Sequence, residues 1–191
     1  EAETFGLSYD VVDDLTGKKM GRASSGTFRT ADVVGLDTMA HVIKTLQDNL
    51  ADDPFFASYA TPPVLAALIA KGALGQKSGA GFYRKVGKDI QRLDPAKGDY
   101  VPAGGKADEI VARMLKKPAP ERLKLLRESS NPQAQFLWAL HRNSFHYAAV
   151  HLGSVAHSAR DVDFAMRWGF GVKQGPFELW QQAGWKQVAQ W

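Results

Sequence analysis

The feature that most constrains the fold is a residue order that occurs twice, once near each end of the chain. The stretches "GRASSGTFRTADVVGL" at 21–36 and "GVKQGPFELWQQAGW" at 171–185 both run glycine, loop, phenylalanine, six residues, glycine and a large apolar residue. A glycine that ends a helix adopts a positive φ at little steric cost, so each stretch predicts two helices joined by a loop. We therefore predict that one helical unit is present twice.

The predicted repeat also covers the residues before each loop. Residues 1–6 align with 148–153, and 12–21 align with 162–171 after three extra residues in the second copy. With one residue removed from the loop of the first copy, the identities are Ala2/Ala149, Gly6/Gly153, Val12/Val162, Asp13/Asp163, Gly21/Gly171, Phe28/Phe177 and Gly35/Gly184. Coincidence is the alternative, because any two helical stretches share small and apolar residues.

Proline and glycine predict where several helices begin and end. Prolines at a helix start and a glycine at its end predict a helix over 62–71. Asn131-Pro132 begins the longest predicted helix, which runs without a breaker to Gly153, and Ser158 with Asp161 resembles a capping box. Shorter helices are predicted after Ser8, around Thr30, from Asp37 or Thr38, around 110–115 and 121–127, from Pro176 to Gly184, and from Trp185.

One segment changes to the periodicity of strands. Gly87-Lys88 lies between Phe82–Val86 and Asp89–Leu93, and a two-residue turn with glycine first is typical of a β-hairpin. The stretch "LDPAKGDYVPAGGKA" that follows is rich in proline and glycine and predicts a loop. The predicted class is therefore all-α, with two related helical units and a small β-hairpin between them.

These signals divide the chain into three parts. Residues 1–86 are the predicted first copy, truncated at its N-terminus; 87–130 are a hairpin and basic connector; and 131–191 are the second copy, truncated at its C-terminus. Residues 84–127 contain twelve Lys and Arg against six Asp and Glu. Because both signs are interspersed and no nucleic-acid-binding motif accompanies them, we expect a solvated surface, with nucleic-acid binding as a weaker alternative.

Composition excludes several kinds of site. The chain has no cysteine, which excludes disulfides, thiolate metal sites and a cysteine nucleophile, and is typical of a reducing cytoplasm. Apolar runs such as "VLAALIA" are too short to cross a bilayer. We expect a soluble, cytoplasmic protein without a membrane contact.

Few residues in the chain favour chemistry. Histidines stand at 141, 146, 151 and 157, but a spacing of five turns successive rings by about 140° on a helix, so we predict no metal site. Lys77 in "GQKSGAG" is a candidate for weak phosphate contact, with pairing to a carboxylate or a helix end as the alternative. The tryptophans at 138, 168, 180, 185 and 191 favour a helical core or an interface.

Three stretches together carry a resemblance to a known family. "VDFAMRWGFGVKQGPFELWQQAG", "TFRTADVVGLDT" and "ALIAKGALGQKSGAGFYRK" resemble the helical C-terminal domain of the 3-hydroxyacyl-CoA dehydrogenases. Two copies in one chain resemble the larger bacterial members, which are multifunctional fatty-acid oxidation proteins. The residues that carry the motif are Gly21, Phe28, Gly35, Gly81, Phe82, Tyr83, Gly171, Gly175, Pro176, Phe177 and Gly184.

The resemblance implies where the chemistry lies. The family's NAD site and its catalytic histidine and glutamate belong to a nucleotide-binding domain outside this chain, so we expect no catalytic residue and no bound cofactor here. The resemblance implies acyl-CoA and that domain as partners, a wall of the acyl-CoA cleft as the role, and a homo-oligomer. A free-standing helical module that binds another protein is the alternative.

Overall fold

The structure, a computed structural model, describes every residue from Glu1 to Trp191 and is mostly helical, as predicted. The helices are α1 (Tyr9–Thr16), α2 (Phe28–Val34), α3 (Leu36–Asn49), α4 (Pro63–Ala70), α5 (Glu109–Met114), α6 (Ala119–Glu128), α7 (Pro132–Val155), α8 (Ala159–Phe170), α9 (Pro176–Gln182) and α10 (Trp185–Gln190). The strands are β1 (Tyr83–Val86), β2 (Asp89–Asp94) and β3 (Asp99–Pro102). None of the helices combines the length and apolar character that a membrane span requires.

Two compact units make up the chain. Unit 1 consists of residues 1–26 and 106–191, and unit 2 consists of residues 27–105. Of the predicted connector, residues 87–105 lie in unit 2 and residues 106–130 lie in unit 1. Its strand β2 pairs with Tyr83–Val86 and β3 pairs with β2, whereas α5 and α6 belong to the helical unit in which α6 packs on α7.

Unit 1 is entirely helical. The long α7 begins where Asn131 was expected to start it, and the Asn131 side chain accepts a hydrogen bond from the Gln133 amide at 2.8 Å. Fully buried leucine and valine side chains come from α1, α5, α6 and α7, namely Val12, Leu15, Val111, Leu123, Leu126 and Leu137. Burial of these side chains accounts for most of the stabilisation of the helices, since short helices are marginal alone.

Unit 2 combines three helices with the sheet. The predicted hairpin is present: β1 and β2 pair antiparallel with Val86 opposite Asp89, and Gly87 has a φ of 60° in the turn. The prediction of a loop after it was wrong in part, because Asp99–Pro102 adds a third strand to β2. Two contacts of Tyr100 fix this strand: its hydroxyl donates to the Gly81 carbonyl at 2.6 Å, and Arg84 lies over its ring.

Two helix starts differ from the prediction. Ser8 precedes α1, but its hydroxyl donates to the Asp10 carboxylate at 2.6 Å instead of accepting from a backbone amide. Helix α3 begins at Leu36, directly after Gly35, and not after a cap at Asp37 or Thr38. Both starts therefore lack a side-chain cap to the backbone.

Candidate functional site

A buried aspartate organises the motif residues of unit 2. Asp32 in α2 is 4% exposed, and its two carboxylate oxygens accept the backbone N–H groups of Phe82 and Tyr83, each at 2.8 Å. Gly75 and Gly81 approach Asp32 so closely that a Cβ on Gly75 would overlap the Asp32 backbone carbonyl, and a Cβ on Gly81 would overlap the carboxylate. We call Asp32 with these four residues the unit 2 clamp. It brings together the predicted motif residues Gly81, Phe82 and Tyr83.

A second contact joins the "GLD" turn to the "GQKSGAG" loop within the same unit. The Lys77 ammonium donates to both carboxylate oxygens of Asp37 at 2.6 Å, beside Gly35. The Leu36 amide donates to the Leu74 carbonyl at 3.1 Å. The side-chain hydrogen bond from Lys77 is the first cause of a lowered pKa at Asp37. Carboxylate pairing is thus the arrangement that Lys77 adopts, and its weak phosphate contact stays a prediction.

An equivalent clamp is present in unit 1. Asp163 in α8 is buried, and its carboxylate oxygens accept the N–H groups of Phe177 at 2.9 Å and Glu178 at 2.8 Å. A Cβ on Gly175 would overlap the Asp163 carboxylate and its Cα. Pro176 begins α9, where its missing amide hydrogen needs no partner. We call Asp163 with Gly175, Phe177 and Glu178 the unit 1 clamp.

The aligned residues of the first predicted copy show a similar close approach. Asp13 is buried, and a Cβ on Gly26 would lie 2.6 Å from the Asp13 Cα and from its carbonyl oxygen. In the alignment Asp13 corresponds to Asp163, and Gly26 corresponds to Gly175. Each aspartate therefore lies against the glycine that precedes the next helix.

The helix-ending glycines also match in conformation, whereas the phenylalanines differ from the expectation. Gly21 and Gly171 are both left-handed, with φ of 71° and 64°, which only glycine adopts cheaply. Phe28 and Phe177 were expected to be buried, but both are half-buried. Phe28 packs edge-on against Phe82, and Phe177 stacks near Trp180.

The described residues do not place acids and histidines together for metal binding. No group of three or more His, Asp or Glu side chains lies close enough to hold a metal ion. Lysine and aspartate form ion pairs such as Lys77–Asp37 and Lys19–Asp14, which lie partly exposed. Exposed pairs of this kind contribute little to stability because water screens the charges. In both clamps a carboxylate accepts hydrogen bonds from two backbone amides. We therefore interpret the clamps as structural.

His141 is the residue whose surroundings the sequence analysis missed. Its ring is 8% exposed, stacks on Phe145 and has no hydrogen-bond partner in the chain. Burial, with the charges of Arg122 and Arg22, lowers its pKa to about 3. The sequence signal was present, because Leu137, His141 and Phe145 follow at spacings of four and share one face of α7.

This burial predicts a pH dependence of stability. In the unfolded chain the His141 pKa returns to about 6.5, so the unfolded state binds more protons between pH 3 and 6.5. Stability is fully present above pH 6.5, and the free energy of unfolding should fall by about 2 kcal/mol from pH 7 to pH 5. Urea unfolding at both pH values measures this. His141→Gln should abolish most of the drop, while the exposed His157→Gln should retain it; equal drops in both variants would contradict the assignment.

Unit 2 also contains a surface cavity beside its clamp. The cavity has a volume of about 330 Å³ and is lined by Arg29, Asp32, Gln76, Tyr83, Arg84 and Ile90, among others. Arg29 lies over the Tyr83 ring at 5.0 Å. The cavity thus offers an aromatic face and two guanidinium groups.

Comparison with known proteins finds similarity to one family. Residues 4–85 match the sequence model of the family described as "3-hydroxyacyl-CoA dehydrogenase, C-terminal domain". A "Probable 3-hydroxyacyl-CoA dehydrogenase" of Bacillus subtilis is 38% identical over 97% of this chain, and one of Deinococcus radiodurans is 46% identical over 44% of it. Each match covers 23% of the relative, so the chain spans about a quarter of the length of these curated relatives.

A solved structure has a similar fold. It is the crystal structure of 3-hydroxybutyryl-CoA dehydrogenase from Escherichia coli. The match covers 97% of this chain and 50% of the Escherichia coli chain, with a TM-score of 0.60. The sequences are 17% identical, so this likeness concerns the fold alone.

Proposed function

Residues 4–85 are a C-terminal domain of the 3-hydroxyacyl-CoA dehydrogenase family, and from this premise we propose that the whole chain is the helical part of an NAD-dependent 3-hydroxyacyl-CoA dehydrogenase of fatty-acid β-oxidation. In this proposal the longer protein oxidises a 3-hydroxyacyl-CoA to the 3-oxoacyl-CoA. The observation that carries the proposal is the continuous match to the Bacillus subtilis relative, which extends beyond residue 85 through nearly the whole chain.

The residues of this chain do not fit NAD, so we assign NAD binding and hydride transfer to the part of the longer protein outside it. The string nearest to a dinucleotide-binding loop is "GAGFYR" at 79–84, which runs into β1 and not into a helix. A pyrophosphate requires backbone N–H groups free at a helix N-terminus. Here the Phe82 and Tyr83 amides are already bonded to Asp32, and the space at Gly81 is filled by the same carboxylate.

The proposed role of the chain is to form one wall of the acyl-CoA cleft. Exposed valines on α2 and α3 support this role, because Val33, Val34 and Val42 present apolar surface that a fatty acyl chain could cover. The clamp and the Lys77–Asp37 pair support the same role, since they hold the "GLD" turn and the "GQKSGAG" loop in fixed positions. A wall that does not move can exclude water while another domain does the chemistry.

We also propose that the two halves arose by duplication. The support is the repeated sequence skeleton together with three matched features: a buried aspartate against a glycine in each half, left-handed Gly21 and Gly171, and a helix after each loop. The first helix of each pair also follows a serine at the same offset, Ser8 before Asp13 and Ser158 before Asp163.

The NAD assignment predicts the behaviour of the isolated chain. Calorimetric titration of the purified chain with NAD should give no saturable heat, because no helix N-terminus with free amides follows a glycine-rich loop. The longer protein, titrated in parallel, is the control and should bind NAD with one saturable transition. Saturable binding to the isolated chain would overturn the assignment.

The chain is further proposed to form a homo-oligomer. Apolar side chains that are more than half exposed include two sets that we treat as candidate surfaces: Trp168, Phe170 and Trp185 in unit 1, and the valines of α2 and α3 in unit 2. Large exposed apolar residues of this kind tend to be covered by association. A twofold dimer is the simplest closed arrangement, through either surface.

Light scattering across a range of concentrations tests this association. The wild-type chain is expected to approach twice the monomer mass as concentration rises. Charge introduced on the surface in use should restore the monomer, so Trp168→Glu and Val42→Glu report on the two surfaces separately. Lys124→Glu on the exposed side of α6 is the control and should leave the mass unchanged. A wild-type chain that is monomeric at every concentration would contradict the proposal.

A free-standing protein-binding module is the second candidate, and the exposed valines and tryptophans would serve it equally well. Catalysis separates the two. Substitutions on the surface of a protein-binding module are not expected to affect oxidation of 3-hydroxyacyl-CoA by the longer protein. Substitutions on a cleft wall are expected to affect it.

A further inference from the structure

Unit 1 contains a cavity whose wall is positively charged. The cavity has a volume of about 220 Å³ and lies among α6, α7, α9, the turn at 18–21, the residue after α5 and the loop before α9. Its charged or polar lining residues are Lys18, Lys19, Arg122, His141, Lys173 and Gln174. No aspartate or glutamate lines it.

Most of these cations have no acidic partner within the chain. Lys19 is paired with Asp14 at 2.7 Å. Lys18, Arg122 and Lys173 form no ion pair, and neither does Arg22, whose charge acts on His141. Like charges gathered without acids repel each other, so this arrangement is unfavourable until an anion occupies the cavity.

Lys173 is held against the cavity by the backbone. Its N–H donates to the Gly21 carbonyl at 3.0 Å, and its methylene stem lies across Gly21, where a Cβ would approach the Lys173 Cβ to 3.1 Å. Gly21 therefore has both the positive φ and the empty side-chain position that this packing requires. Lys173 is thus less free than a typical surface lysine.

Arg122 and His141 line the same cavity, and Arg122 contributes a buried donor without a partner. The Arg122 Nε is buried and has no hydrogen-bond partner, which is unfavourable for a buried donor. The His141 ring is nine-tenths buried and also unpartnered. Desolvation lowers the pKa of Arg122, and the imidazole of His141 stays neutral near pH 7, so it keeps one N–H to donate.

We propose that this cavity binds a phosphoryl group, either inorganic phosphate or the phosphate of a larger ligand. A phosphate dianion matches a cavity that offers several positive charges and N–H donors, since it carries more charge and more acceptor oxygens than a carboxylate. Arg122 supplies the directional contact through its free Nε, His141 donates from α7, and Lys18 and Lys173 neutralise the charge. The proposal does not depend on the dehydrogenase assignment, because all its residues lie in unit 1 of this chain.

The test is a titration of the purified chain with inorganic phosphate at low ionic strength. Calorimetry and the NMR signal of His141 monitor binding. We expect saturable binding at one site and a rise in the His141 pKa on binding. Lys18→Gln/Lys173→Gln should weaken phosphate binding at least tenfold without unfolding the chain. Lys124→Gln/Lys186→Gln removes the same charge from exposed positions outside the cavity and should weaken it less than twofold.

A second titration, with adenosine 3′,5′-bisphosphate, distinguishes the two sources of the phosphoryl group. Tighter binding of the nucleotide than of phosphate, lost in the Lys18/Lys173 variant, supports a larger ligand; equal affinities support free phosphate. Absence of saturable binding by either probe would overturn the proposal. Equal losses of phosphate affinity in the two double variants would also overturn the proposal, since the effect would then come from net charge alone.

Discussion

Replacing Asp32 by alanine is expected to lower the free energy of unfolding by about 3–6 kcal/mol, as measured by urea denaturation at pH 7. The carboxylate accepts both the Phe82 and Tyr83 amides at 2.8 Å, and alanine would leave two buried N–H donors without partners. Hydrogen bonds to a charged acceptor contribute about 1.5–3 kcal/mol each, which gives the expected range.

Two further variants separate the hydrogen bonds from other effects of the substitution. Asp32→Asn keeps one carbonyl acceptor but directs an NH₂ group at the other amide, so it should lose about half as much as alanine. Asp52 is exposed and unpaired in the same unit, and Asp52→Ala should change stability by less than about 0.5 kcal/mol. If Asp32→Ala and Asp52→Ala unfold at the same urea concentration, the clamp is not a stabilising element.

Replacing Gly175 by alanine is expected to destabilise the chain by about 3 kcal/mol, with a lower thermal midpoint by calorimetry. The new methyl group would overlap the Cα as well as the carboxylate of Asp163, and a backbone atom cannot move aside as a flexible side chain can. Relief of the overlap would separate Asp163 from the Phe177 and Glu178 amides.

Gly153→Ala provides a control of opposite sign. Gly153 lies inside α7, and a methyl group there would meet no heavy atom within 4 Å, so alanine should stabilise the helix by about 0.5–1 kcal/mol. Gly175 has a φ of −76°, which other residues adopt without strain. A loss of stability in Gly175→Ala would therefore result from the overlap and not from backbone strain. An increase in stability in both variants would show that the Gly175–Asp163 approach tolerates a side chain.

Helix positions were predictable because their signals are local. Proline at the start and glycine near the end predicted 62–71, and the helix is Pro63–Ala70; Asn131-Pro132 likewise marked the start of Pro132–Val155. The strand Asp99–Pro102 was missed because it is short, contains a proline and has no strong apolar alternation. Its position depends on pairing with β2 and on the Tyr100–Gly81 hydrogen bond, which no local pattern encodes.

The motif residues were predictable, whereas the residues that hold them were not. Gly81, Phe82 and Tyr83 were recognisable from "GAGFY", but Asp32 lies 50 positions before Phe82 and has no local mark as its partner. Asp163 appeared in the sequence only as an identity with Asp13, since a capping role depends on how α8 and α9 meet. The cationic cavity was hidden for the same reason: Lys18, Arg122, His141 and Lys173 are separated in sequence and come together only in the fold.

The most direct measurement is NADH formation from a 3-hydroxyacyl-CoA and NAD, with the longer protein and the isolated chain assayed side by side. Val42→Asp in the longer protein tests the cleft wall. We expect saturable turnover by the longer protein, no turnover by the isolated chain, and a loss of at least tenfold in kcat/KM in the Val42 variant that is larger for long acyl chains than for short ones. Turnover by the isolated chain, or none by the longer protein, would contradict the proposed function.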